Sequence, residues 1–304
     1  MQLVVNRPKD WPALREGDSI YLISPAWAAN AQETVLIEEM LEDWQIKPIF
    51  YEYTGPNSEP FLSHSDEERL KELEGAIYGD KSDFVLCVCG GYGSARLLPH
   101  LLKSKKPSKG KVLIGFSDIT SLHLMFNNHW HLPTLHSPMA KQCATGKVDK
   151  QSIDYLKDVL FARKNQLTYK ITPLNEKASA IKSGTELQPL IGGNLSLIQT
   201  SIATQWAVDS TSKYSLLIEE VDEKGYAIDR MLRHLVNAGI FKNCQALFIS
   251  DISENPDENN EFHLEHIIDN FIDHLDIPIF SIPNIGHKKS NLAIPLGYKF
   301  SIER

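Results

Sequence analysis

The chain has 304 residues, the length of one large domain or two modest ones, and can bury a core without disulfide or metal staples. Apolar residues make up 42% and charged residues 23%, which excludes collagen-like, low-complexity and wholly disordered chains. A formal net charge of -8 argues against a nucleic-acid partner, and no run reaches the roughly 18 apolar residues that cross a bilayer.

The first 140 residues alternate short apolar runs with helical patterns. Ser19 to Ser24 reads as a strand, Gln32 to Trp44 as a helix, and Ile46 to Tyr51 as a second strand. Ser65 and Glu68 form a capping-box signature that opens a charged helix to about Tyr78. Phe84 to Val88 is continuously apolar, as in a strand buried on both faces. Residues 94 to 102 look helical, and the lysine block from Lys103 to Lys111 reads as a solvated loop. Val112 to Gly115 is another strand, after which Ser117 can cap a helix from Asp118 to about Phe126. Strands alternating with helices imply parallel βαβ units.

Between Ala140 and Gly184 the pattern weakens to one clear helix, Asp149 to Ala162, and polar sequence. A linker at 141–184 therefore separates a domain at 1–140 from one at 185–304. The second half carries strand-like runs at Leu187 to Ile191, Tyr214 to Glu219, Ala246 to Ile249, Ile279 to Ile282 and Tyr298 to Ile302. Helices are expected at Leu195 to Ile202, Ala227 to Ala238 (with Gly239 as C-cap) and His263 to His274. Met1 to Trp11 shows no secretory h-region, and four cysteines are too few for a disulfide scaffold. The expectation is a cytoplasmic protein with reduced thiols, Cys87 and Cys89 filling the core.

The most informative segment is Phe84 to Leu98, in which a buried strand runs into Gly90-Gly91-Tyr92-Gly93, then Ser94 and a helix. Three readings stay open on spacing alone: a plain turn with an N-cap serine, an exposed Ser94 nucleophile beside an oxyanion hole, or a phosphate cradle. Arg96 stands where a third dinucleotide-binding glycine would, and no G-K-[ST] follows. The order G-Y-G-S-A also departs from the hydrolase G-x-S-x-G.

A serine nucleophile needs a base and an orienting acid. His287 follows a strand run and Gly286, which suits a loop-borne base. Glu219 and Glu220 end an apolar strand, where carboxylates are costly unless solvated or paired. His129, His131 and His136 cluster without neighbouring carboxylates in sequence, and His263 with His266 reads as a solvated helix face before it reads as a zinc site.

The chain resembles the serine L,D-carboxypeptidase family, which comprises muramoyltetrapeptide carboxypeptidases and the self-immunity peptidases that cleave microcin C. The matching stretches run in family order: 17–26, 90–98, 114–123, 135–139, 192–195, 217–220, 226–232 and Gly286-His287. The resemblance implies an N-terminal parallel α/β domain and a C-terminal β-rich α/β domain with the site in the cleft between them. It implies a Ser94–His287–Glu219 triad, an oxyanion hole from the N–H groups of Gly91 and Ala95, and a homodimer. Cys89 and Glu220 depart from the family, where arginine and aspartate are common, and Arg96 and Arg230 match it.

The reading is a serine carboxypeptidase, with no metal or cofactor, that cleaves the L,D bond before a terminal D-alanine in a murein tetrapeptide. Its partner is a small peptide or muropeptide, not nucleic acid or membrane. A microcin-type peptidyl or acyl-nucleotide amide hydrolase is the same-class alternative. A catalytically silent nucleotide or muropeptide binder is the other.

Overall fold

The computed structural model describes residues 1–7, 11–54, 59–256 and 261–304. The alternation in the first half builds a six-stranded sheet. Its strands, in spatial order, are Ile294–Leu296, Thr134–His136, Val112–Gly115, Phe84–Cys87, Ser19–Ile23 and Lys47–Ile49. All pair in parallel except Ile294–Leu296, which is antiparallel to its neighbour. The central strands Phe84–Cys87 and Val112–Gly115 are buried at every residue, as both faces are covered.

Local chemistry sets the helix starts. Asn30 and Glu33 form a reciprocal capping box, both bonds 2.9 Å, that opens Ala31–Asp43. Ser65 caps Asp66–Tyr78 by accepting the Glu68 N–H at 3.3 Å. The Glu68 carboxylate does not close that box, because it accepts the Thr54 N–H instead. The lysine block is only partly a solvated loop. Lys111 is buried with its ammonium on the Ser82 carbonyl, and Lys109 pairs with Asp83 at 2.6 Å.

The second half forms a five-stranded sheet. Leu190–Asn194, Tyr214–Lys224, Cys244–Asn255 and Ile279–Ser281 run parallel, and Thr172–Pro173 closes the edge antiparallel. The two long strands extend well past the sequence-predicted ends at Glu219 and Ile249. Helices Leu195–Ser201, Gly225–Asn237 and Leu264–Asp273 fall where expected, and Gly239 takes the left-handed conformation past the second of them. Among the described residues, no helix is long and apolar enough to cross a membrane.

A small antiparallel sheet ties the chain's ends together, in the order Gln166–Lys170, Gln2–Asn6, Phe300–Glu303 and Thr185–Leu187. The segment 141–184, expected as a linker, is folded against this sheet. Helix Lys150–Leu160 and the strand after it place Leu156, Val159, Leu160, Leu167 and Tyr169 in the core that also holds Leu3 and Ile302. The alternating burial of Gln166–Lys170 hides two apolar side chains between polar ones, which reads as weak patterning in the sequence.

The two halves meet across a short helix, Thr120–Leu124. Thr120 Oγ1 accepts the Asn194 N–H at 3.0 Å. A Cβ on Gly193 would lie 2.5 Å from that oxygen, so glycine is what lets the backbones approach. Loops from the carboxyl ends of both parallel sheets gather here, where ligand sites of open α/β sheets form.

Candidate active site

Glu219 and His287 meet as expected. Nδ1–H of His287 donates to Glu219 Oε2 at 2.7 Å. Glu219 is completely buried, at 0% exposure, and His287 is partly open. Gly286 makes the approach possible. Its φ is +132°, and a Cβ there would lie 2.9 Å from Glu219 Oε2. The loop before it is held by Ser250, whose hydroxyl contacts the carbonyls of Ile282 and Ile285 at 2.7 and 2.6 Å.

Burial pushes the Glu219 carboxyl up. The His136 ring nearby and the hydrogen bond from His287 outweigh it and leave Glu219 below the ordinary carboxylate range. Burial likewise pulls His287 down, but the hydrogen bond and charge of Glu219 win and raise it. The pair therefore favours a carboxylate with an imidazole ready to take a proton.

Glu220 points the other way along the strand, but not into solvent. It is buried and accepts from Asn194 Nδ2, Ser196 N–H and Val221 N–H at 2.8, 2.7 and 2.9 Å. Burial raises its pKa. Of the two ways to carry strand-end carboxylates, Glu220 is paired and not solvated: it ties the end of strand Leu190–Asn194 and the helix start after it to its own strand.

Ser94 is not exposed. Its exposure is 0%, its hydroxyl donates to the Asp118 carbonyl at 2.6 Å, and its N–H donates to Asp118 Oδ2 at 2.8 Å. The expected helix is a single 3-10 turn, Ser94–Leu97, followed by the short helix Leu98–Leu101. The buried Asp118 carboxylate sits at the start of that turn, where a phosphate or an oxyanion would have to bind, and also receives the Gly93 N–H. Anion binding near Ala95 would place two negative charges together. Arg69, buried at 0%, secures the turn from below through the Gly93 carbonyl at 3.0 Å and the His64 carbonyl at 3.2 Å.

The strained serine of this region is Ser117. It has a φ of +62° and is not the helix cap its position suggests. It stands between strand Val112–Gly115 and helix Thr120–Leu124, and is the one residue from 111 to 127 that is not fully buried. A glycine, with no Cβ, is needed two residues earlier at Gly115, since a Cβ there would lie 2.9 Å from Ile119 Cγ1. A Cβ on Gly90 would sit 3.2 Å from Ser117 Cβ and 3.4 Å from its Oγ, so the glycine turn faces this serine. Phe116 packs its ring 4.8 Å from that of His287. A serine in a strained strand-to-helix turn is the geometry of a nucleophile elbow. The sequence signal was Gly115-Phe116-Ser117 directly after a strand. It was hidden because Ile119 replaces the second glycine of G-x-S-x-G.

Gly91, with φ +113°, lies against the indole of Trp27, and Cys89 Sγ contacts the Trp27 carbonyl at 3.1 Å. Trp27, Tyr92 and Phe61 are about half exposed around this turn. His136, whose sequence neighbours gave no hint of an acid, is fully buried with Nε2 4.0 Å from Glu219 Oε1. His129 and His131 lie exposed elsewhere, and His266 bonds Asn270 on a surface helix. Arg96 is engaged by Asp66, with Nη2 to Oδ2 at 2.8 Å, and Arg230 lies over Tyr226.

The parallel α/β frame thus brings a strained strand-to-helix serine and a histidine–glutamate pair to the carboxyl ends of its two sheets. Comparison with known proteins makes this specific. Residues 20–137 match the LD-carboxypeptidase N-terminal domain and residues 188–302 match the LD-carboxypeptidase C-terminal domain. A putative carboxypeptidase of Rickettsia conorii is 36% identical over 235 residues, covering 76% of this chain and 71% of that one. The probable murein peptide carboxypeptidase of Bacillus subtilis is 28% identical over 291 residues, covering 94% and 89%. The crystal structure of muramoyltetrapeptide carboxypeptidase from Oxalobacter formigenes superimposes with a TM-score of 0.77 at 22% identity, covering 94% and 95%. The chain belongs to the LD-carboxypeptidase family, with that family's two-domain α/β architecture.

Proposed function

We propose that the protein is a serine carboxypeptidase that hydrolyses the L,D bond before the terminal D-alanine of a murein tetrapeptide. Ser117 is the nucleophile, in place of Ser94. His287 takes its proton and passes it to the leaving amine. Glu219 holds the imidazole with Nδ1 protonated, so that Nε2 is free to act as base, and stabilises the imidazolium. The Asp118 N–H, following the nucleophile, and the Gly91 N–H of the glycine turn would hold the oxyanion. Ser94 and Asp118 then have a positioning role, fixing the glycine turn against the elbow.

The observation that carries this reading is the strained Ser117 beside Gly90 in a fold that also buries a His287–Glu219 pair at 2.7 Å. The murein substrate rests on the likeness to the probable murein peptide carboxypeptidase of Bacillus subtilis. The half-exposed rings of Trp27, Tyr92 and Phe61 supply apolar surface for a peptide beside the glycine turn. A homodimer, as the family resemblance implies, belongs to the same proposal.

The test is incubation with a murein tetrapeptide and, separately, with a microcin-type peptidyl nucleotide, followed by mass spectrometry. Release of D-alanine supports the reading, and cleavage of the second compound alone overturns the substrate. Labelling by a serine-directed electrophile should map to Ser117. Nucleotide binding with neither labelling nor turnover would instead indicate a silent binder.

A further inference from the structure

His136 ends the strand that pairs with Val112–Gly115, so it reaches the site from the N-terminal sheet while Glu219 comes from the C-terminal one. Its Nε2 is 4.0 Å from Glu219 Oε1, on the side of the carboxylate away from His287. Both groups are fully buried. Neither ring nitrogen of His136, nor Glu219 Oε1, has a hydrogen-bond partner among the described residues. Buried polar atoms without partners are costly, and a side-chain adjustment of about 1 Å would pair His136 Nε2 with Glu219 Oε1.

We infer that His136 is a positioning residue for the triad: as the neutral Nε2–H tautomer it donates to Glu219 Oε1 and so aims Oε2 at His287. The inference rests on the proposed roles of Glu219 and His287. It makes the acid of one domain depend on a donor from the other, so the carboxylate is fully aligned only when the two halves are docked.

The groups that face the pair are few. His287 comes from the loop after Ile279–Ser281, and His136 from its strand. The ring of His123, from helix Thr120–Leu124, lies 6.3 Å from that of His136 and tilted to it. Its Nε2–H is held by the Gly115 carbonyl at 2.8 Å, and burial pushes its pKa down to about 3, so it stays neutral. Glu220 and Asp222, on the strand of Glu219, add negative charge. Phe116 covers His136 and His287 together. With His136 removed, Glu219 loses a donor and the Glu219–His287 pair binds its next proton more tightly, whichever partner carries it.

The experiment is the pH profile of kcat/KM for His136→Phe and His136→Gln, with Glu219→Gln measured alongside. The phenylalanine variant should move the acid limb up by about one pH unit, the order of one charge-assisted hydrogen bond. The glutamine variant, which can place an N–H near the same point, should restore most of that shift. A phenylalanine variant with the wild-type acid limb would overturn the inference. If Glu219→Gln keeps wild-type turnover, the triad reading fails instead, which separates the two outcomes. Should the phenylalanine variant not fold, 15N-histidine NMR of the wild-type protein decides. A neutral Nε2–H tautomer at His136 supports the inference, and an Nδ1–H tautomer overturns it.

Discussion

Ser117→Ala and Ser94→Ala should part company, and the structure sets how far. Ser117 is only partly buried, so losing its hydroxyl should change stability by less than about 0.5 kcal/mol. Losing a triad nucleophile should cut kcat about 10⁴- to 10⁶-fold, or roughly 5–8 kcal/mol of barrier. Ser94→Ala has the opposite profile. It removes a buried 2.6 Å hydrogen bond to the Asp118 carbonyl, at a cost of about 1–3 kcal/mol. For a chain of this size that lowers Tm by about 1.5 °C per kcal/mol. Turnover should fall by no more than about 10²-fold, through a displaced elbow. D-alanine release from a murein tetrapeptide gives kcat, and calorimetry gives Tm. Ser117→Ala retaining more than about a tenth of wild-type kcat would refute the elbow assignment. So would a collapse of activity at Ser94→Ala with an unchanged Tm.

Glu219→Gln should lower kcat about 10²- to 10⁴-fold by removing the charge that supports the imidazolium. It should also move the acid limb of kcat/KM to lower pH, because the Glu219 hydrogen bond and charge are what raise His287. Glu220→Gln should cost about 1–3 kcal/mol of stability and less than tenfold in kcat, since its carboxylate holds three structural donors. Equal losses of kcat at both positions would show that Glu220 shares the chemistry. Gly286→Ala should cut kcat by more than about tenfold and also lower Tm, because φ of +132° strains an alanine and its Cβ would press on Glu219 Oε2. Wild-type kinetics in that variant would remove the argument for the glycine. Glu72 tests the fold. Burial pushes its pKa up to about 7, although it accepts the Ser24 N–H at 2.8 Å. A raised folded pKa means the folded state binds the proton more tightly. Its stabilising effect is complete below about pH 4.5 and is lost as pH rises to about 7, a change of at most about 3 kcal/mol. Urea melts between pH 5 and 8 should therefore show a decline in wild type that Glu72→Gln flattens.

Periodicity and turn chemistry determined most of the local structure. The short apolar runs at 84–87 and 112–115 read as buried strands and are, and Ser65, Asp149 and Gly239 mark helix ends by their own hydrogen bonding or backbone freedom. The family resemblance, carried by short motifs in order, pointed to Glu219 and His287. Sequence could not show which serine is strained, because φ at Ser117 is set by the strand behind it and by Ile119 packed on Gly115. It could not show that Ser94 spends its hydroxyl on a carbonyl 24 residues away. Nor could it pair His136 with Glu219, 83 positions later, or turn Glu220 inward onto Asn194. Those outcomes depend on how two sheets dock, and docking is decided by the summed burial of many side chains. No single stretch of the chain records that sum.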